Sequence, residues 1–205
     1  MSKPFFPSSP SSAQGLREQK RVDTHQRIVD AALNLFLADG YAATTLDAIA
    51  AEAGISRRTF FSYFKSKDDI VISVMADGWN SLYAELLKTS PDVPPLQAVC
   101  EVMTAQMSRY NSDETTALDH LMRSSESLLA RKQSFYAEQE HALFATLCQV
   151  WRQPERQLAL RMVAILSIGA LRLTTQSWGE QGGDKKPMAQ LFREALASLK
   201  NELAE

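Results

Sequence analysis

Apolar residues recur every third or fourth position along most of this 205-residue chain, and no stretch alternates long enough to build a sheet. The pattern therefore predicts an all-α protein. A first helix carries Ile28, Ala31, Ala32, Leu35 and Phe36 on one stripe, with Thr24 placed to cap its start and Gly40 to end it. A second repeats the pattern with Leu46, Ile49, Ala50 and Ala53, opened by Thr44 with Asp47 three residues on and closed by Gly54. Only Gly54 and Ile55 then precede Ser56, another capping residue, so a third, short helix starts almost at once. A fourth opens at Ser66, with Asp68 and Asp69 at the positive end of its dipole, and continues through Val71, Val74, Leu82 and Leu86 to Lys88.

The segment "TSPDVPP" from Thr89 breaks the chain, and Pro94 or Pro95 suits the first turn of a fifth helix with Leu96, Val99, Cys100, Met103, Met107 and Tyr110 on its stripe. Further helices are expected over about 113–129, 131–152, 154–177 and 187–203, the last two parted by "GEQGGDKKP". Residues 1–15 are rich in Ser and Pro and are expected to form a disordered arm. The layout implies a helical domain over 16–67 and a larger one over 68–205.

Composition changes this picture little, since 45% hydrophobic and 22% charged residues describe an ordinary globular chain. The apolar run Met162–Leu171, bounded by Arg161 and Arg172, is much shorter than the ~20 residues of a membrane span. The N-terminal stretch lacks the apolar core of a secretory signal, which points to the cytoplasm. Cys100 and Cys148 match no zinc spacing and read as reduced, packed thiols, a redox pair being the alternative. Charge is more informative. Residues 17–67 hold eight Lys or Arg against six Asp or Glu, whereas 68–205 hold thirteen against eighteen. A basic front on an acidic body suits a polyanion met by one end only.

The front also holds the distinctive chemistry. "GISRRTFFSYFKSK" packs aromatics among cations with no acid, immediately after a glycine turn between two helices. A helix, a turn and a short second helix form the arrangement that presents a recognition helix to the DNA major groove. At 100° per residue Phe60 and Phe64 point inward together, while Arg58 and Ser62 point outward. Arg57 and Arg58 offer the fork that matches guanine, and Ser56 caps the helix. Thr59, Tyr63 and Lys67 suit phosphate oxygens, and Phe61 a thymine methyl or a sugar. The plainer alternative makes "RR" a solvated pair and "FF" ordinary core.

The stretch "IVDAALNLFLADGYAATTLDAIAAEAGISRRTFFSYFKSKDDI", residues 28–70, resembles the N-terminal DNA-binding domain of the TetR family of bacterial transcriptional regulators. Gly40, Thr45, Ile49-Ala50, Ala53-Gly54, Thr59, Tyr63-Phe64 and Lys67 fall where that family's pattern puts them. Phe61 stands where the family commonly has Tyr, so one hydroxyl for phosphate is missing. The resemblance implies that Thr45, Thr59, Tyr63 and Lys67 contact phosphates and that Arg57 and Arg58 contact bases. Arg17, Lys20 and Arg21 form either an arm near the minor groove or a solvated tail. It further implies a homodimer, an operator of inverted half-sites and a C-terminal domain that binds a small molecule. Two short recognition helices must stand about 34 Å apart along a duplex, which makes pairing an expectation of the geometry.

Candidates for the dimer seam are Ile165, Ile168 and Gly169 in "MVAILSIGALRL" and Leu191 and Ala195 in "MAQLFREALASL", unless these fill the protomer's own core. Trp79, Met103, Met107, Met122, Phe144 and Trp151 are candidates for an apolar effector pocket, with plain core again the alternative. An enzyme is disfavoured. Glu138 and His141 supply half of a helical metal motif, but His120 is preceded at the matching position by Ala117, and no phosphate loop or nucleophile elbow exists. No cofactor or metal is expected. The reading is a ligand-responsive regulator acting as a repressor; its competitor is a helical protein-interaction or ligand-sensing module without affinity for duplex DNA.

Overall fold

The computed structural model describes residues 13–109, 112–181 and 186–202. Among them are nine α-helices, one short 3-10 turn and no strand, as the apolar periodicity predicts. The chain separates into two compact units, which part inside the fourth helix after Ile70.

In the first unit α1 (Ala13–Asp39), α2 (Leu46–Glu52) and α3 (Arg57–Phe61) precede the opening turn of α4 (Lys67–Leu86). Gly40 and Gly54 end α1 and α2 at φ of 85° and 66°, left-handed backbone that costs a side-chain-bearing residue about 1–2 kcal/mol. Ile28, Ala32, Phe36, Ile49, Ala50 and Phe60 are all buried, so each predicted stripe faces one common core.

Two expectations need correction here. First, α1 begins at Ala13, not near Thr24; residues 13–15, assigned to a disordered arm, are helical, and the rest of that arm lies outside the described residues. The early turns are laced by neighbours at helical spacing, with Arg21 bonded to Glu18 and Gln19 to Asp23, and the Thr24 hydroxyl accepts from Arg27 inside the helix. Second, α2 is capped by Thr45, whose hydroxyl accepts the Ala48 N–H at 3.1 Å. Thr44 is buried instead and donates to the Gly40 carbonyl at 2.9 Å. Ser66 caps α4 as predicted, accepting the Asp69 N–H, while the Asp69 carboxylate accepts the Lys65 N–H.

The second unit holds the rest of α4, then α5 (Pro95–Met107), α6 (Ser112–Arg123), α7 (Glu126–Val150), α8 (Gln157–Glu180) and α9 (Met188–Glu202). Pro95 opens α5, and Tyr110, placed on its stripe, lies outside the described residues. The break between α6 and α7 falls at Ser124 and Ser125, earlier than the predicted 129–131. Ser124 folds back to donate to the Leu121 carbonyl at 2.7 Å, which ends α6 and lets the buried Leu128 join α7. α8 is the hub, packing against α7, α9 and α5. The helical stretch Pro154–Glu180 is long and apolar enough to cross a bilayer by length and composition, which the run Met162–Leu171 alone did not suggest. Its inner face, including Leu160, Ala164, Ser167, Leu171 and Trp178, is nevertheless buried in this unit.

Candidate nucleic-acid interface

α3 is only five residues long, so its position rests on its cap and its anchors. Ser56 accepts the Thr59 N–H at 3.1 Å, and the two hydroxyls share a further bond of 2.9 Å. Phe60 is 1% exposed and Phe64 5%, with ring centroids 6.2 Å apart, and the His25 ring lies 4.9 Å from Phe64. Each buried phenyl stabilises the unit by roughly 1.5–3 kcal/mol. The inward pair predicted from helical spacing thus seats the short helix, and Arg58 is exposed on the other side.

Arg57 is held in place on the exposed face. Its Nη1 donates to Asp47 Oδ2 at 2.8 Å, and its guanidinium lies 5.6 Å from the Phe61 ring centroid. Both members of the ion pair are about two-thirds exposed, so it adds little stability, but it ties the side chain's direction to α2. Phe61 is 44% exposed and meets Phe60 edge-on. Arg58 makes no bond among the described residues, which leaves its five N–H donors open to a ligand.

Several hydroxyls of the candidate interface already serve the fold. Thr45 and Ser56 accept at the caps, and Ser62 donates inward to the Thr59 carbonyl at 2.6 Å. In the Ser56–Thr59 pair one hydrogen bridges, so one stays free to donate outward. Lys67, assigned to phosphate, also has partners within the fold. Its ammonium donates to the carbonyls of Tyr41 at 2.6 Å and Thr44 at 3.3 Å and lies 4.3 Å from the Tyr41 ring centroid. The Tyr41 hydroxyl in turn bonds Asp68. Burial first, and Asp68 second, push that phenol well above its ordinary range. Lys67 is thus bonded to the α1–α2 loop; the acceptors are main-chain carbonyls 23 to 26 residues away, which no local motif announces.

Sequence reasoning left Lys65 unassigned, and it is exposed directly after this element. Arg17, Lys20 and Arg21 lie on helical backbone at the start of α1, neither an extended arm nor a loose tail. With Glu18 and Thr24 they face Tyr63 across a shallow cleft. Their spacing at i, i+3 and i+4 was a visible signal for that shared face.

In the second unit Met103, Met122 and Trp151 are buried, while Trp79, Met107 and Phe144 are half-buried against the main core cluster. Trp151 has a structural task, its indole N–H being shared between the Pro91 and Val93 carbonyls at 2.9 and 3.1 Å. Met122, on α6, is not part of that cluster. Ile168 is 3% exposed and belongs to the protomer's own core, which corrects its place in a dimer seam. Ile165 is 38% exposed, and Gly169, Leu191 and Ala195 are half-buried. Three residues of α8 missing from that list, Leu158, Met162 and Leu173, are exposed at 77%, 46% and 64% and extend Ile165 and Gly169 into one stripe. Cys100 and Cys148 are free, half-buried thiols against the core, and His141 Nδ1 bonds its own helix at the Ala137 carbonyl. No cluster of three or more metal-ligating side chains occurs among the described residues.

A capped recognition helix seated by two phenylalanines, with arginines on its outer face and a second all-helical unit behind it in sequence, defines a helix-turn-helix regulator in class. Residues 28–74 match the model of the bacterial regulatory proteins of the tetR family, and residues 93–204 match that of the MftR C-terminal domain. The chain belongs to the TetR family of transcriptional regulators. It is 32% identical over 111 residues to the HTH-type transcriptional regulator TcmR of Streptomyces glaucescens, covering 54% of this chain and 49% of TcmR. The chain spans about half the length of the curated relatives it matches. Its fold is shared with a TetR-family regulator from Syntrophomonas wolfei at TM-score 0.64 and 15% identity, over 90% of this chain and 97% of that one. The SmeT–triclosan complex matches at TM-score 0.58 and 20% identity, over 86% and 91% of the two chains.

Proposed function

We propose that this protein is a ligand-responsive transcriptional repressor, which acts in the cytoplasm as a homodimer on an operator of inverted half-sites and lets go when a small neutral effector binds its second unit. The observation that carries the DNA-binding reading is Arg58: exposed, unbonded among the described residues, and mounted on a helix whose opposite face is fixed by Phe60 and Phe64. Arg57, aimed by Asp47, stands beside it. Together they can read two neighbouring base pairs, while Thr45, Thr59 and Tyr63 meet the backbone.

Pairing is supported by the stripe Leu158, Met162, Ile165, Gly169 and Leu173 at i, i+4, i+7, i+11 and i+15 of α8. An apolar stripe this long is seldom left to water. Leu191 and Ala195 of α9, half-buried within the protomer, flank it in this reading. Glutamate at both Met162 and Leu173 should then give monomers by light scattering and weaken operator binding, while leaving helicity intact.

The effector reading draws on the second unit's core, where the buried polar residues among those described are Thr104, Thr146, Ser167 and Thr174, all neutral. Thr104, Ser167 and Thr174 make no hydrogen bond there. An ionised ligand would be costly in such surroundings, whereas a mostly apolar molecule with a neutral hydrogen-bonding group would suit a buried hydroxyl of this kind. Trp79, Met103, Met107, Met122 and Phe144 are the proposed lining, methionine being able to repack around a guest. SmeT binds triclosan. Because the chain passes from one unit to the other within α4, a shift of that helix is the proposed link to the recognition helices. Weakening operator affinity 100-fold requires an effector that prefers the released conformation by about 100-fold, or about 2.7 kcal/mol.

Genomic footprinting with the full chain, followed by fluorescence anisotropy on the recovered duplex, tests the proposal. Arg58→Ala should relax choice at one base pair in each half-site. Equal loss on every duplex would make Arg58 a phosphate contact, and indifference to all duplexes at low salt would favour the protein-interaction module.

A further inference from the structure

The opening turns of α1 place Arg17, Lys20, Arg21 and Thr24 on one helical face at i, i+3, i+4 and i+7. That face and Tyr63, just beyond α3, form the two walls of a shallow cleft whose sixth lining residue is Glu18. All three cations are exposed. Arg17 and Lys20 make no ion pair among the described residues, whereas Arg21 is gripped by Glu18 through Nε at 3.0 and 3.1 Å and Nη2 at 2.8 Å. Hydrogen bonding to Arg21 holds the Glu18 carboxyl below its usual range. Glu18 is therefore ionised at neutral pH, and the strip carries three positive charges against one negative.

The face from Arg17 to Thr24 is about 10 Å long at 1.5 Å per residue, enough for two or three successive phosphates of one strand. It ends beside a recognition element that itself points hydroxyl and guanidinium groups outward. Every side chain that lines the cleft carries a charge or a hydroxyl, with Tyr63 adding the one aromatic ring, which suits an anionic partner better than a lipid tail.

We propose that this strip is a phosphate-binding track that carries the footprint of the recognition helix outward along the DNA backbone, with Glu18 restraining it by occupying Arg21. The inference rests on the reading that the first unit binds duplex DNA. It adds contacts that carry affinity without base selectivity and an acidic residue whose removal tightens binding.

The test uses the full-length chain and two 30-base-pair duplexes, one recovered by footprinting and one of shuffled sequence, titrated between 50 and 200 mM salt. Glutamine replaces Arg17 and Lys20 together, since it preserves helix propensity, and circular dichroism checks the fold. Losing two phosphate contacts should reduce the salt slope by about 1.8 and, at 0.1 M salt, weaken both duplexes by on the order of 50-fold, with their ratio unchanged. Glu18→Gln should do the reverse, raising the slope by up to about 0.9 as Arg21 is freed. Unaltered slopes in both variants, with wild type still binding its operator, would overturn the track and leave the proposed function standing. A loss confined to the operator duplex would also overturn it, because it would assign these side chains to base reading. Wild type that binds neither duplex would bring down the underlying reading as well.

Discussion

Replacing Lys67 with Met separates two roles that the sequence alone merges. The ammonium makes one short bond, 2.6 Å to the Tyr41 carbonyl, two longer ones to Ala42 and Thr44, and a stack 4.3 Å from the Tyr41 ring centroid. A hydrogen bond from a charged donor contributes about 1.5–3 kcal/mol, and a cation over an aromatic face at a partly exposed site about 0.5–1 kcal/mol. Lys67 is half-buried, and Met keeps some contact with the ring, so a net loss of about 2 kcal/mol is reasonable. That corresponds to a factor of about 30 in the local opening equilibrium. Hydrogen exchange by mass spectrometry on residues 36–49 reads it directly, because the Gly40, Thr44 and Ile49 amides are bonded to Phe36, Gly40 and Thr45 carbonyls across this loop. Protection should fall about 30-fold in that segment, and operator affinity should fall with it at an unchanged salt slope. Unaltered exchange together with a salt slope reduced by about 0.9 would refute the reasoning and return Lys67 to the phosphates.

Gly54→Ala should cost the first unit about 1–2 kcal/mol in urea unfolding; its φ is 66° and a β-carbon would meet nothing within 4 Å, so a much larger loss would mean a contact the structure does not hold. Phe60→Ala should cost about 3–5 kcal/mol and abolish operator binding, and a soluble variant with near-native operator affinity would show that the phenyl does not seat α3. The Tyr41 phenol, raised by burial and then by Asp68, holds its proton more tightly folded than unfolded. Its contribution is therefore complete below the unfolded value of about 10 and is lost as pH climbs past it, so urea midpoints should fall above that pH in wild type and fall less in Tyr41→Phe. Equal slopes for the two proteins would contradict this. Ser167→Ala removes a fully buried hydroxyl without a partner and should raise thermal stability by about 1 kcal/mol; destabilisation would show that the hydroxyl is satisfied in solution.

Much of this protein follows from local rules that need no knowledge of the fold. Apolar residues three and four apart determined the helices, and Gly40 and Gly54 determined two of the ends, because only glycine takes a positive φ without strain. The inward pair Phe60 and Phe64 and the outward Arg58 followed from 100° per residue. Thr44 and Thr45 show where such rules run out: both can cap a helix, and burial of Thr44 against the Gly40 carbonyl decided which one does. Lys67 was legible as a cation but not as the tie of a distant loop, since its acceptors are backbone carbonyls brought near by folding. On α8, whose middle is apolar almost throughout, periodicity could not tell inside from outside; packing against α7 and α9 buried Ile168 and left Ile165 and Leu173 at the surface. Hydrophobic spacing is a property of one helix, whereas the choice between faces belongs to the helices that cover it, and only the tertiary structure supplies those.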